Sequence, residues 1–366
     1  MVAEKILELI ATGKEKNGTI RIMRSQILTS ELVEAYDRFL LDRACSLFYH
    51  SSKYKDFLKS LMGCKEEYIL AMEGTKIHGV LPLMYAQVEG GRIYNSLPYY
   101  GSNGGIIADS EEAYRELACA YNTIARRQTT ITATLIGNPL LPQGASGITH
   151  NYLDLRIGQW TALSPADANP EALMARINSS ARRNVNKAMS QGFSVEIDCT
   201  QVDPLRQMHQ DNMRAIGGRP KNDAFFASLA RHFVQGQDYE IYVAKKDGVV
   251  IAALLLFYFN LTVEYFTPAV DLAYRTLQPL SLILITAMAD AARRGFRWWN
   301  WGGTWGNQMG VYRFKRKWAS LEQKYLYYTQ LNDPSMLQWP RDRILSTFPN
   351  FFIVPFSALQ SEEREP

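Results

Sequence analysis

Two short stretches near the C-terminal end of the chain carry the residue types that can do chemistry. The first is Arg297-Trp298-Trp299-Asn300-Trp301-Gly302-Gly303. A strand that ends in two glycines lets a ligand or another backbone approach closely. The second is Tyr312-Arg313-Phe314-Lys315-Arg316-Lys317-Trp318, four cations within five positions, flanked by aromatics. Such a face suits phosphate or a developing oxyanion. The competing account is a solvated basic helix whose aromatics pack inward. Glu264, on a predicted strand, is the candidate proton acceptor, and a solvent-facing strand residue is its plainer account. Tyr265 beside it is assigned to the substrate. Trp299 and Trp301 fall on one face of the strand and could stack on a sugar, base or acyl chain, or fill the core.

Other chemistries lose support. There is no Walker loop, no G-x-G-x-x-G after a strand and no G-x-S-x-G. The four cysteines, Cys45, Cys64, Cys119 and Cys199, are widely spaced. The five histidines do not cluster, so no metal is expected. Lys+Arg number 40 and Asp+Glu 36, a net charge of +4, which does not mark a DNA-binding protein. No apolar run is long enough to cross a bilayer. These features lead to the expectation of a cytoplasmic protein with no tightly bound cofactor.

Positioning such residues takes a recognisable order of elements. In the second half, residues 239–244, 249–259 and 261–267 read as three antiparallel strands, with Asp247-Gly248 as a tight turn. A helix over 273–294 follows, stopped by Gly295, then a strand at 296–301, a helix at 308–318 and a strand at 323–331. The first half repeats the order: strands at 68–72, 77–88 and 92–97, a glycine-rich loop at 100–105, a helix at 111–127 and a strand at 130–136. Ala71, Ile77, Gly79, Leu81 and Leu83 match Ala244, Val250, Ala252, Leu254 and Leu256 at one offset. A basic helix at 181–191, with Arg183 and Lys187 on one face, separates the copies.

With 366 residues, this predicts an α/β (α+β) chain of two tandem copies, each a mixed, mainly antiparallel sheet flanked by helices. The expected boundaries are 1–155 for the first copy, with an extension at 1–20, and 156–335 for the second, with the basic linker helix at 170–192. Residues 336–366 form a tail packed on the domains.

The element order and several motifs together resemble the GNAT acyltransferase fold and, more narrowly, the FemAB-like relatives of the Fem-type peptidyltransferases. The matching residues are Phe48-Tyr49-His50-Ser51, Gly79-Val80-Leu81-Pro82-Leu83, Leu97-Pro98-Tyr99-Tyr100-Gly101, Ala181-Arg182-Arg183, Asp247-Gly248, Ala252-Ala253, Gly295, Asn300-Trp301-Gly302-Gly303 and Phe314-Lys315. The resemblance implies transfer of an activated acyl group to a primary amine on a cell-envelope precursor. It maps the family's Phe-Lys pair onto Phe314-Lys315, with Lys315 stabilising the tetrahedral oxyanion. It places phosphate-bearing acceptor contacts at Arg219, with Arg214 in reserve, and at Lys59 in the first copy. Arg183, Arg275, Arg313, Asn300, Trp301, Gly302 and Gly303 complete the expected substrate-binding set.

Two departures bear on the chemistry. Relatives often carry Asp where this chain has Asn300. The stretch Tyr274 to Leu280, which would grip the pyrophosphate of coenzyme A, contains no glycine. That favours aminoacyl-tRNA as donor and a nucleotide- or lipid-linked glycan or peptidoglycan precursor as acceptor. An acyl-CoA-dependent N-acetyltransferase acting on an amino sugar stays open, as does a non-catalytic module binding RNA or a lipid-linked sugar. Phe351 and Phe352 either touch the inner face of a membrane or pack on the first copy.

Overall fold

A computed structural model describes residues 23–99, 104–141, 147–304 and 309–360. The first copy begins with strand β1 (Arg24–Ile27) and helices α1 (Val33–Leu41) and α2 (Ser52–Met62). The Ser51 hydroxyl accepts from the Tyr54 N–H to start α2, and Gly63 at φ 63° stops it. Strands β2 (Lys65–Glu66), β3 (Ile69–Glu73), β4 (Lys76–Leu81), β5 (Met84–Val88), β6 (Gly91–Asn95) and β7 (Ile107–Ala108) follow. The run at 77–88, expected as one strand, is two. Pro82 has no N–H to continue a ladder, and β4 and β5 enter different sheets. Helix α3 (Glu111–Ala125) and strand β8 (Thr130–Ile136) close the copy.

The next strand, β9 (Tyr152–Ala162), is not among the expected elements. Helices α4 (Pro170–Arg176) and α5 (Ser179–Met189) form the basic linker, with the Asn178 side chain capping α5. The second copy runs through β10 (Ser194–Ile197), α6 (Val202–Ala215), α7 (Asp223–His232), β11 (Tyr239–Lys246), β12 (Val249–Phe259), β13 (Thr262–Val270), α8 (Pro279–Arg293), β14 (Trp298–Thr304), α9 (Met309–Arg316) and β15 (Leu321–Leu331). The helix expected from 273 starts only at Pro279, because Gln278 takes a left-handed φ of 64° after a single 3-10 turn. In the tail, α10 (Arg341–Thr347) is the last α-helix among the described residues.

One sheet has four strands, in the order β1-β3-β4-β7. The other has eleven, β10-β11-β12-β13-β14-β9-β15-β8-β6-β5-β2. In this sheet the copies exchange their last strands. β9 follows the first copy in sequence but pairs with β14 of the second. β15 ends the second copy but pairs with β8 of the first. The two exchanged strands also pair with each other, from Leu321↔Trp160 to Thr329↔Tyr152. The expected boundary at 155/156 therefore falls inside β9.

Three cores hold this frame. Tyr36, Tyr49, Tyr54 and Phe57 of the first copy mesh with Phe225, Phe233, Phe257 and Ala269 of the second. Burying this much aromatic area supplies the main attraction between the copies. The opposite face of the second copy buries α5, α8, Trp299, Trp301 and Trp318. The corresponding face of the first copy buries α3. The tail seals the remaining face of the first copy: the Asn95 amide donates to the Phe352 carbonyl (2.8 Å) and its oxygen accepts from the Phe352 N–H (2.6 Å). With Ile353 and Val354 buried and Phe351 and Phe352 half-buried, this stretch packs on the first copy.

Candidate active site

β13 and β14 are neighbours in the sheet and run parallel, but stay in register for only three pairs: Thr262↔Trp298, Val263↔Trp299 and Glu264↔Asn300. Beyond that point the described pairing stops. β13 has a bulge opposite Leu255 and Leu256, and β14 shifts register between Asn300 and Gly303. Two strands that part inside a sheet leave backbone and side chains free for a ligand.

Glu264 stands at the last pair. Its Oε2 accepts from Asn300 Nδ2 at 2.7 Å, and Asn300 Oδ1 accepts from the Gly302 N–H at 2.8 Å. Glu264 is 1% exposed, and its other oxygen has no hydrogen-bond partner. Burial pushes its carboxyl up to about 8, against the opposing pull of the Tyr49 phenol and the Asn300 amide. The plainer account of Glu264, a strand residue facing solvent, is overturned. Asn300 acts as a neutral clamp that leaves Glu264 the one carboxyl of this pair.

The first copy provides the facing wall. Tyr49 packs edge-on against Tyr54 (5.4 Å), and the Tyr54 hydroxyl donates to the Tyr99 carbonyl at 3.0 Å. On β9, Trp160 lies opposite Asn300. Its indole N–H is buried without a partner, as is the hydroxyl of Thr267. Gly158 makes room for that indole, since a Cβ there would lie 2.9 Å from Trp160 Nε1. Buried polar atoms are almost always hydrogen-bonded, so three orphans beside diverging strands point to a ligand that completes them.

Lys315 joins the same network from α9. It is 5% exposed, and its ammonium donates to Thr304 Oγ1 (2.9 Å) and to the carbonyls of Gly303 (3.0 Å) and Gly302 (3.3 Å). Among the described residues no carboxylate pairs with it, and burial draws it down to about 8. The glycines thus hold the cation through their carbonyls, and Asn300 ties that loop to Glu264. Phe314 packs against Trp301 and Trp318 and fixes the helix from beneath.

Other expected residues sit elsewhere. Trp301 is 2% exposed among Tyr265, Trp299, Phe314 and Trp318, and its N–H donates to Thr161. It is a core residue and offers no stacking face. Tyr265 belongs to that core and faces away from Glu264, as alternation along a strand requires. Arg219 and Arg214 are exposed, and Arg214 pairs with Asp211. The residue that enters the aromatic cleft is Lys221, over the rings of Phe266 (5.0 Å) and Phe225 (5.7 Å). Burial draws Lys221 down to about 8. Its signal in the sequence was a lysine directly before Asn222, which caps the helix bearing Phe225. Lys59 is half-exposed and paired with Glu66.

Arg183, Arg275 and Arg313 are exposed. The helices bearing Arg183 and Arg313 approach each other, because the Asn178 N–H donates to the Lys317 carbonyl at 2.8 Å. Neither α5 nor α9 contains a carboxylate. Trp305 and residues 100–103 of the glycine-rich loop lie outside the described residues. Among the described residues, no group of three His, Cys, Asp or Glu could hold a metal ion.

Comparison with known proteins agrees with the fold. Residues 175–316 match the sequence model of the GNAT acetyltransferase domain. The fold is similar to the crystal structure of FemX, at a TM-score of 0.65 and 14% identity, covering 86% of this chain and 98% of that one. It is also similar to the C-terminal domain of an Agrobacterium fabrum protein described as a lysylphosphatidylglycerol synthetase, at a TM-score of 0.55 and 14% identity, covering 88% and 99%. A conserved protein of unknown function from Bacteroides thetaiotaomicron gives a TM-score of 0.52 at 10% identity, covering 84% and 99%. No curated protein matches the sequence.

Proposed function

We propose that this acyltransferase, a FemAB-like GNAT relative in fold, transfers an aminoacyl group from aminoacyl-tRNA to a primary amine on a peptidoglycan or other envelope glycan precursor. The observation that carries the reading is Glu264, a carboxyl with a pKa of about 8 at the point where β13 and β14 part. A general base works best when its pKa lies near the working pH. In its ionised form Glu264 takes a proton from the incoming ammonium group. The free amine attacks the donor carbonyl, and the carbonyl electrons move to oxygen. Lys315 stabilises that oxyanion by giving up its longest bond, the 3.3 Å contact to the Gly302 carbonyl. Collapse restores the carbonyl and breaks the acyl C–O bond, and the expelled donor oxygen takes up the proton that the attacking nitrogen sheds as the amide forms.

Two features support tRNA over coenzyme A. Pro279 in the first turn of α8 and the left-handed Gln278 before it replace the glycine turn that grips a pyrophosphate. Arg183 and Lys187 of the acid-free helix α5, with Arg275, suit a longer polyphosphate. Lys221 in the aromatic cleft supports an acceptor with an anionic group. The second reading, acetyl transfer from acetyl-CoA to an amino sugar, is favoured by the description of the matching domain family.

A direct test offers the protein labelled mixed aminoacyl-tRNA or labelled acetyl-CoA, with amine-bearing glycan acceptors. Label passing to the acceptor from tRNA, and lost in Glu264→Gln, supports the proposal. Transfer from acetyl-CoA alone replaces it with the second reading.

A further inference from the structure

Leu153 and Leu155 lie on β9, inside the eleven-stranded sheet, yet are 52% and 54% exposed. They pair across the ladder with Tyr328 and Leu326 of β15, and the next same-face pair is Ile157 with Lys324. Helix α9 lies further along this face. The Trp318 carbonyl just beyond it accepts from Thr161 (2.8 Å), and the Tyr312 carbonyl accepts from Gln159 (3.1 Å). The start of α9 therefore points along β9 toward Ile157 and the leucines. At that end Met309 and Val311 are 48% and 44% exposed. Arg313, Arg316 and Lys324 are exposed beside them. The neighbouring carboxylate, Glu322, is already engaged by Arg316 and Tyr312.

We propose that this surface docks the protein on an anionic lipid bilayer, with Leu153, Leu155, Met309 and Val311 entering the interface and Arg313 and Lys324 meeting the headgroups. Exposed aliphatic side chains among cations are the composition of interfacial membrane contacts. Nucleic acid fits less well, because leucine, methionine and valine have no ring face on which a base can stack. A second copy of the chain fits less well too, because a two-fold contact sets these cations against themselves. The inference does not depend on which donor or acceptor the enzyme uses.

Co-sedimentation of the full chain with vesicles tests it. Vesicles of phosphatidylglycerol in phosphatidylcholine are expected to bind the protein, and pure phosphatidylcholine much less. Leu153→Ser/Leu155→Ser is expected to weaken partitioning about tenfold. Lys324→Gln is expected to weaken it about fivefold and to flatten its salt dependence. Unchanged thermal unfolding of both variants excludes loss of fold as the cause. The proposal is overturned if phosphatidylglycerol gives no advantage or if the leucine variant binds as well as the parent. A dimer that these substitutions dissolve, without any lipid binding, overturns it as well.

Discussion

At the residue scale, two groups in one network should titrate in the same range with opposite consequences. Glu264 must lose its proton to act, and Lys315 must keep its own; both titrate at about 8. The rate is expected to trace a narrow bell centred near pH 8. Lys315→Arg keeps a cation at higher pH, so its profile should lose the alkaline limb. A descending limb that persists in this variant would assign it to another group. Glu264 also has a signature that needs no substrate. Its folded pKa lies above the ordinary 4.5, so its favourable contribution is complete below about pH 4.5. It is lost as pH rises toward about 8, at up to about 1.4 kcal/mol per pH unit. Denaturant unfolding of Glu264→Gln across that window should show this slope removed.

At the element scale, the exchanged strand β9 does two things: it completes the sheet beside β14 and presents Trp160 opposite Asn300. Gly158 is what makes room for the indole, since a Cβ there would lie 2.9 Å from its Nε1. Gly158→Ala should therefore cost about 1–3 kcal/mol of stability by overpacking, read as a lower denaturant midpoint at unchanged m-value.

This is also where sequence reading succeeded and failed. The run at 249–259 became β12 with the expected bounds, since eleven apolar residues between two turns have few other uses. Phe314-Lys315 and Asn300 to Gly303 were found because cations and paired glycines stand out locally. β9 escaped because Leu153, Asp154, Leu155 and Arg156 alternate weakly, and its pairing depends on a strand about 170 residues later. Tyr49 and Trp160 escaped for the same reason. Only the meeting of distant segments turns an ordinary aromatic into a wall of the cleft. Lys221 went unnoticed because sequence position cannot tell an exposed cation from one folded over two rings.

At the scale of the whole molecule, the candidate site belongs to neither copy alone. Glu264 and Lys315 come from the second, Tyr49 and Tyr54 from the first, and Trp160 from the strand between them. The copies are also latched: Asn260 Nδ2, in the turn after β12, donates to the Arg43 carbonyl and Ser46 Oγ of the first copy, both at 2.8 Å. Residues 1–150 expressed alone should lack a cooperative thermal transition, because β8 then has no β15 beside it. Co-expression with residues 151–366 should restore one, read by circular dichroism. A sharp melt of the isolated N-terminal piece would mean that the exchange is dispensable. The exchange also sets a timetable for synthesis. The first copy leaves the ribosome with the edge of β8 bare, and the strand that covers it, Leu321–Leu331, is made only after β9 to β14. At about 5–20 residues per second, that edge waits about 10–40 seconds. During that interval the nascent chain is a natural client for chaperones that shield unpaired strands.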